Sequence, residues 1–257
     1  MSTAQSLSEW FASPQGRYVL PFEQAHFDRT VNDIFGYNAL QLGLSEHDFL
    51  RNSRIPHRFT GADRKADVRL CGVELPFACN SLDMVLMPHV LDFAANPHQI
   101  LREVERVLRP EGSVLISGFN PLSLWGLHRA LGRRHGYPWC GHFIAVSRLK
   151  DWLALLGFEV EAVRFVAYAP PFRQHKWLER SNFMESAGRR WWPAVGGVYF
   201  VHAIKRVPGL RLLKPQWKQG LVNSLLPVAP KLNKPVSQCV DSRLVNNEQN
   251  GQNLKHE

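Results

Sequence analysis

The run from Asn96 to Phe119 constrains this chain more than any other: an amphipathic helix, a tight stop, then a strand with almost no polar residue. Ile100, Leu101, Val104, Val107 and Leu108 fall on one helical face. Asn96 suits the cap position and Pro97 the first turn. Arg109-Pro110-Glu111-Gly112 ends the helix, and "SVLISGF" follows. A strand this apolar has to be covered on both faces, as parallel strands are. A sheet with helices on both sides is therefore the expected frame.

The other elements extend the alternation. Phe22–Phe35 reads as a helix, with Phe27, Val31, Ile34 and Phe35 sharing a face and Gly36 as its C-terminal cap; Pro14–Gly16 reads as a break before it. Ala39–Leu44 is the first strand, and Ser45 can cap a short helix from Glu46 to about Asn52. "RFTGA" and "DVRLC" are short strand candidates, and "SLDMVLMP" is a stronger one. Only Asp63–Ala66 separates the first two, whereas a parallel crossover takes about a dozen residues. That pair is expected as an edge hairpin, or as one strand and a loop, so the second/third strand region is shortened. A helix over Ser147–Leu156 precedes the strands "FEVEAVRFVAY" and "GGVYFVHAIKRV". The alternation indicates an α/β class: a mostly parallel sheet with helices on both faces.

Three segments are expected: a helical preamble over residues 1–36 packed on the domain, an α/β domain over 37–207, and a basic, proline-containing tail over 208–257 that reads as disordered. Residues 169–193 form an insertion rich in Trp and Arg. Net charge is +9, but the tail holds seven Lys or Arg against three acids, so the rest is only mildly basic. No run reaches the roughly 18 apolar residues of a membrane span, and the first residues lack the pattern of a secretory signal. Cys71, Cys79, Cys140 and Cys239 are far apart, which fits reduced thiols in a cytoplasmic protein and no structural metal site.

Glu74 to Phe119, "ELPFACNSLDMVLMPHVLDFAANPHQILREVERVLRPEGSVLISGF", resembles the class I S-adenosylmethionine-dependent methyltransferases of the type 11 branch. An "LPF" entry leads into a strand, a helix of the form "REVxRVLxPxG" follows, and then another strand. Weaker similarity runs from Asn38 to about Val207, and the continuation "ISGFNPLSLWGL" looks closest to a bacterial YafS-type subset. The resemblance implies a Rossmann-like form of that sheet with an antiparallel last strand, and a methyltransferase using S-adenosyl-L-methionine on a small-molecule acceptor. The alternative is an inactive relative that keeps the fold as a partner- or nucleic-acid-binding module.

It also implies the site. The family's glycine-rich cofactor loop corresponds to Gln41-Leu42-Gly43-Leu44-Ser45, with Gln41 at the position of the strand acid and His47 in place of a third glycine. Gly43 permits the close approach that an amino-acid arm needs. Asp63 lies twenty residues beyond Gly43 and takes the place of the ribose-binding carboxylate, or is a plain turn residue. Cys71 and Gly72 stand where the adenine edge is read, leaving backbone groups to read it. Met87 and His89 lie where relatives flank the cofactor and admit the acceptor. His89 is the candidate general base, since its ordinary pKa is near neutral, or else it bonds the local backbone. Asp83 is read as structural, and Asn120 as a helix cap for "PLSLWGLHRAL" or a pocket residue. The stretches "LWGLHRALGRRHGYPW" and "HKWLERSNFMESAGRRWWP" pack their aromatics, or present them to bases or to an anionic membrane surface.

Overall fold

The computed structural model describes residues 6–62, 66–69, 74–132, 136–171, 185, 188 and 190–207. The 208–257 tail, Asp63, Cys71, Gly72 and most of the 169–193 insertion lie outside the described residues.

Among the described residues, seven strands form one sheet in the order β3-β2-β1-β4-β5-β7-β6. They are β1 (Asn38–Leu42), β2 (His57–Ala62), β3 (Val68–Arg69), β4 (Leu82–Pro88), β5 (Leu108–Phe119), β6 (Phe158–Val166) and β7 (Val198–Lys205). The first five run parallel; β7 is antiparallel to both β5 and β6. The expected class, with its antiparallel last strand, is the one observed. From β1 the chain steps outward to β2 and β3, then returns to β4 on the other side. That reversal opens a crevice beyond the carboxyl ends of β1 and β4.

Helices cover both faces, as the apolar strands require. Leu101 and Val104 of α4 (Pro97–Val107) and Leu149 and Leu153 of α6 (Val146–Leu155) pack on Leu40, Val85, Met87, Val114 and Val201. On the other face, α1 (Leu7–Phe11), α2 (Pro14–Asn32) and α5 (Leu124–Leu131) place Trp10, Phe27, Val31 and Trp125 against Ala39, Met84, Leu86, Leu115 and Phe200. One short turn of helix, α3 (Val90–Phe93), follows β4.

Five expectations need correction. β2 and β3 are parallel neighbours after all, pairing Gly61 with Val68 and Ala62 with Arg69. With only two paired positions, β3 needs no covering helix. The Thr60 N–H and hydroxyl both donate to Asp67 Oδ2 and brace the return. Second, α2 begins at Pro14 rather than Phe22, because Ser13 accepts a bond from Gly16 N and Pro14 takes the first turn. Third, that helix ends at Asn32, so Gly36 is no cap. A Cβ at Gly36 would stand 2.4 Å from the Asp83 Cβ. The glycine lets Asp83 reach the Tyr37 and Asn38 amides at 2.7 and 2.9 Å. Fourth, residues 46–52 form turns and no helix. Fifth, Ser123 caps α5 by accepting the Gly126 amide, while Asn120 Nδ2 donates to the Ala194 and Gly196 carbonyls. Asn96 holds the cap position of α4 without a side-chain bond.

Candidate functional site

The chain leaves β1 through a turn with two successive left-handed residues, Gly43 at φ +76° and Leu44 at φ +45°. Glycine takes this region at no steric cost, and leucine does not. The leucine is held there by its surroundings. Gly43 N donates to Gly61 O at 2.7 Å, tying the turn to β2. Gln41, fully buried at the end of β1, fixes the rest. Its Nε2 donates to the carbonyls of Gly43, Leu44 and His47, and its Oε1 accepts from Phe49 N at 3.0 Å. One side chain thus satisfies four backbone groups of this loop, and two of them, the His47 carbonyl and the Phe49 amide, are ones that a helix over 46–52 would have paired along its own backbone.

The turn borders a cleft of about 490 Å³ in the crevice that the strand order predicts. Gly43, Leu44, Ser45 and Glu46 form one side, Gly61, Ala62 and Leu75 another, and Pro88, His89 and Val90 a third. Leu7 and Ser8 of α1 close it, with Phe93, Ile100 and Tyr137. The volume falls within the range of about 300–1,000 Å³ usual for small-molecule sites. His47 does not enter the cleft; its ring packs on Phe11 and Phe49.

The structure brings together only some of the residues that the sequence nominates. Gly43 lies on the cleft. Gln41 faces inward and offers it nothing. Met87 is fully buried in the core beside α4, because strand alternation turns it to the covered face; its neighbours Pro88 and His89 reach the cleft instead. Asp63, Cys71 and Gly72 lie outside the described residues, although Ala62 and Leu75 on either side of them line the cleft.

His89 borders the cleft, yet its side chain has 0% exposure. It adopts a left-handed backbone at φ 55°. Its Nε2 lies 2.6 Å from Glu23 Oε1 and its Nδ1 3.0 Å from Asp92 Oδ2. Phe119 N also donates to Asp92 Oδ2, at 2.9 Å. Burial opposes the imidazolium, but the two carboxylates overcome it and hold the His89 pKa up at about 9. Burial likewise raises the Asp92 carboxyl. With both nitrogens engaged and no solvent contact, this ring has no free lone pair for a substrate proton. Its place is between α2, β4, α3 and β5, which the triad locks together.

Sequence reasoning missed Glu23 and Asp92. Glu23 had a readable signal: it lies four residues after Val19 and four before Phe27, a carboxylate in the middle of a buried stripe. Such a group is paired, and His89, the residue between β4 and α3, is its partner.

A family model described as a methyltransferase domain matches residues 50–116. The chain is 31% identical over 207 residues to the Escherichia coli protein YafS, covering 79% of this chain and 82% of that one. A malonyl-[acyl-carrier protein] O-methyltransferase of Coxiella burnetii is 36% identical over 86 residues, 33% of this chain and 29% of its own. Among solved structures, a Thermotoga maritima S-adenosylmethionine-dependent methyltransferase, a possible histamine N-methyltransferase, superposes with TM-score 0.56 at 16% identity over 77% of this chain and 93% of that one.

Proposed function

From the premise that this chain belongs to the class I S-adenosylmethionine-dependent methyltransferase family, in its type 11 branch and alongside YafS, we propose that it is a working methyltransferase for a small acceptor. The observation that carries this is the Gly43–Leu44 turn and the cleft it leaves open. The turn keeps the left-handed backbone and the bare Cα on the cleft that an amino-acid arm needs, though the surrounding glycines are gone.

The residues present fit the cofactor. S-adenosylmethionine would supply a methyl group on a positively charged sulfur. Gly43 admits the backbone approach. Glu46, exposed at the cleft, offers the carboxylate that the arm's ammonium requires and that Gln41 does not provide. The family resemblance would assign Asp63 to the ribose hydroxyls and Cys71-Gly72 to the adenine edge, and these residues lie outside the described ones. Leu7, Val90, Phe93 and Ile100 shed water and restrict the line of approach, which is where much of the acceleration of a methyl transfer arises. His89 positions Pro88 and Val90 at the cleft and does not act as the base. A cleft whose histidine is sealed away favours an acceptor that is already nucleophilic, such as a carboxylate. The Coxiella relative named for a malonyl substrate is consistent with that class.

Calorimetry with S-adenosylhomocysteine tests the reading. Micromolar binding to the wild type, lost in Gly43→Trp while circular dichroism still shows a folded protein, is the expected result, with the melting temperature somewhat lowered by the strained φ at residue 43. Silence with the wild type overturns it. Glu46→Gln is expected to weaken S-adenosylhomocysteine about tenfold or more, while leaving 5′-methylthioadenosine, which has no amino-acid arm, unaffected.

A further inference from the structure

The cleft has few polar side chains to offer an acceptor. Among the described residues that line it, Glu46 is the one acid and none is Lys or Arg. His89 is sealed, and Ser45 is not free. Two hydroxyls remain, those of Ser8 and Tyr137, and neither has a hydrogen-bond partner. Tyr137 is the one set in place by its own loop. The segment between α5 and α6 docks on α3, where His142 N donates to Asp92 O at 2.6 Å. A Cβ at Gly141 would stand 2.6 Å from Phe93 Cε1, so glycine lets the loop settle there. Arg129 Nε donates to Trp139 O, and the Trp139 ring packs on Trp125 at 5.9 Å. The Tyr137 ring rests on Phe93, with centroids 4.8 Å apart. Phe93 follows β4 and Ala62 ends β2, with β1 between them, so the aromatic pair lies on the side of the cleft away from Ala62.

Charge then selects the acceptor. A cation in the cleft would repel the sulfonium and hold the very charge that an anionic acceptor has to give up. A phenol is neutral and orients a carboxylate through one charge-assisted hydrogen bond. One carboxylate oxygen forms the new bond to the methyl carbon with its own lone pair. The carbon–sulfur bond breaks with its electrons going to sulfur, which leaves an ester and a neutral thioether. No proton moves, which suits a cleft whose histidine is sealed. Building on the methyltransferase reading above, we propose that Tyr137 positions the acceptor, a carboxylate on an apolar body, by donating its hydroxyl hydrogen to the oxygen that does not attack, while Leu7, Val90 and Phe93 contact the apolar body.

Calorimetry tests this on the full chain loaded with sinefungin, whose amine is charged where the methylated sulfur would be, with hexanoate and hexanamide as probes. Hexanoate is expected to bind, and hexanamide about tenfold more weakly or less. Tyr137→Phe keeps the ring on Phe93; it should weaken hexanoate about tenfold and leave sinefungin affinity and the melting temperature unchanged. Ser8→Ala should alter none of these. Sinefungin binding without hexanoate binding overturns this proposal and leaves the methyltransferase reading standing, whereas no sinefungin binding overturns both. Hexanamide bound as tightly as hexanoate overturns the carboxylate class. Hexanoate binding that Tyr137→Phe leaves intact, or a loss confined to Ser8→Ala, overturns the role of Tyr137.

Discussion

Three carbonyl oxygens, those of Gly43, Leu44 and His47, crowd around the amide nitrogen of Gln41. An acid cannot stand there, since a carboxylate would present oxygen to oxygen and take the side-chain donor from the Gly43 and His47 carbonyls, while Leu44 O would keep only the His47 amide. Gln41→Glu, which puts an acid where the resemblance expects one, is therefore expected to destabilise the protein by about 2–4 kcal/mol in urea unfolding and to gain no affinity for S-adenosylhomocysteine. His89 makes a different prediction. Its pKa near 9 in the folded state lies above the ordinary 6.5, so folding tightens its hold on the proton. The triad's stabilisation is complete below about pH 6.5 and is lost as pH rises through about 9. The urea midpoint should fall across that window in the wild type and stay flatter in His89→Asn. That variant leaves Glu23 and Asp92 buried without their common partner and should cost about 3–5 kcal/mol at neutral pH.

At the scale of elements, α1 shows how a five-residue helix can matter. It is too short to be stable alone, and it is held by Trp10, which meets Phe119 and Trp125 edge-on at 5.4 and 6.0 Å. Trp10→Ala is expected to cost about 3–5 kcal/mol by thermal melting and to loosen the cleft wall formed by Leu7 and Ser8. Trp10→Phe should cost much less, because the indole N–H has no hydrogen-bond partner among the described residues. α4 and β5 were legible because a 3.6-residue stripe and an unbroken apolar run each admit one solution. The 43–52 loop was not, since its shape depends on the Gln41 side chain reaching eight residues forward to accept the Phe49 amide. The start of α2 was hidden for a related reason: Pro14 and Gly16 read as a break, yet a capping Ser13 turns them into a first turn.

Across the described molecule, the sequence located the crevice and Gly43 but placed chemistry on His89. Nothing local in "MPHVLDF" reveals that Glu23, 66 residues earlier, closes over the ring. The N-terminal segment is therefore expected to belong to the site as much as to the scaffold. A chain beginning at residue 37 would lack Leu7, Ser8 and Glu23 and would strand His89 against Asp92 alone. It should fail to give a cooperative melt by circular dichroism, whereas a mere decoration would be removable. One feature of the loop reaches further. Because Gln41 ties down the turn using only bonds internal to the chain, the loop keeps the same outline whether or not a nucleoside is present. Capture then involves no ordering step at this end of the cleft, so the rate of association should follow diffusion, and the Phe49 amide should exchange its hydrogen as slowly in the free protein as in the loaded one.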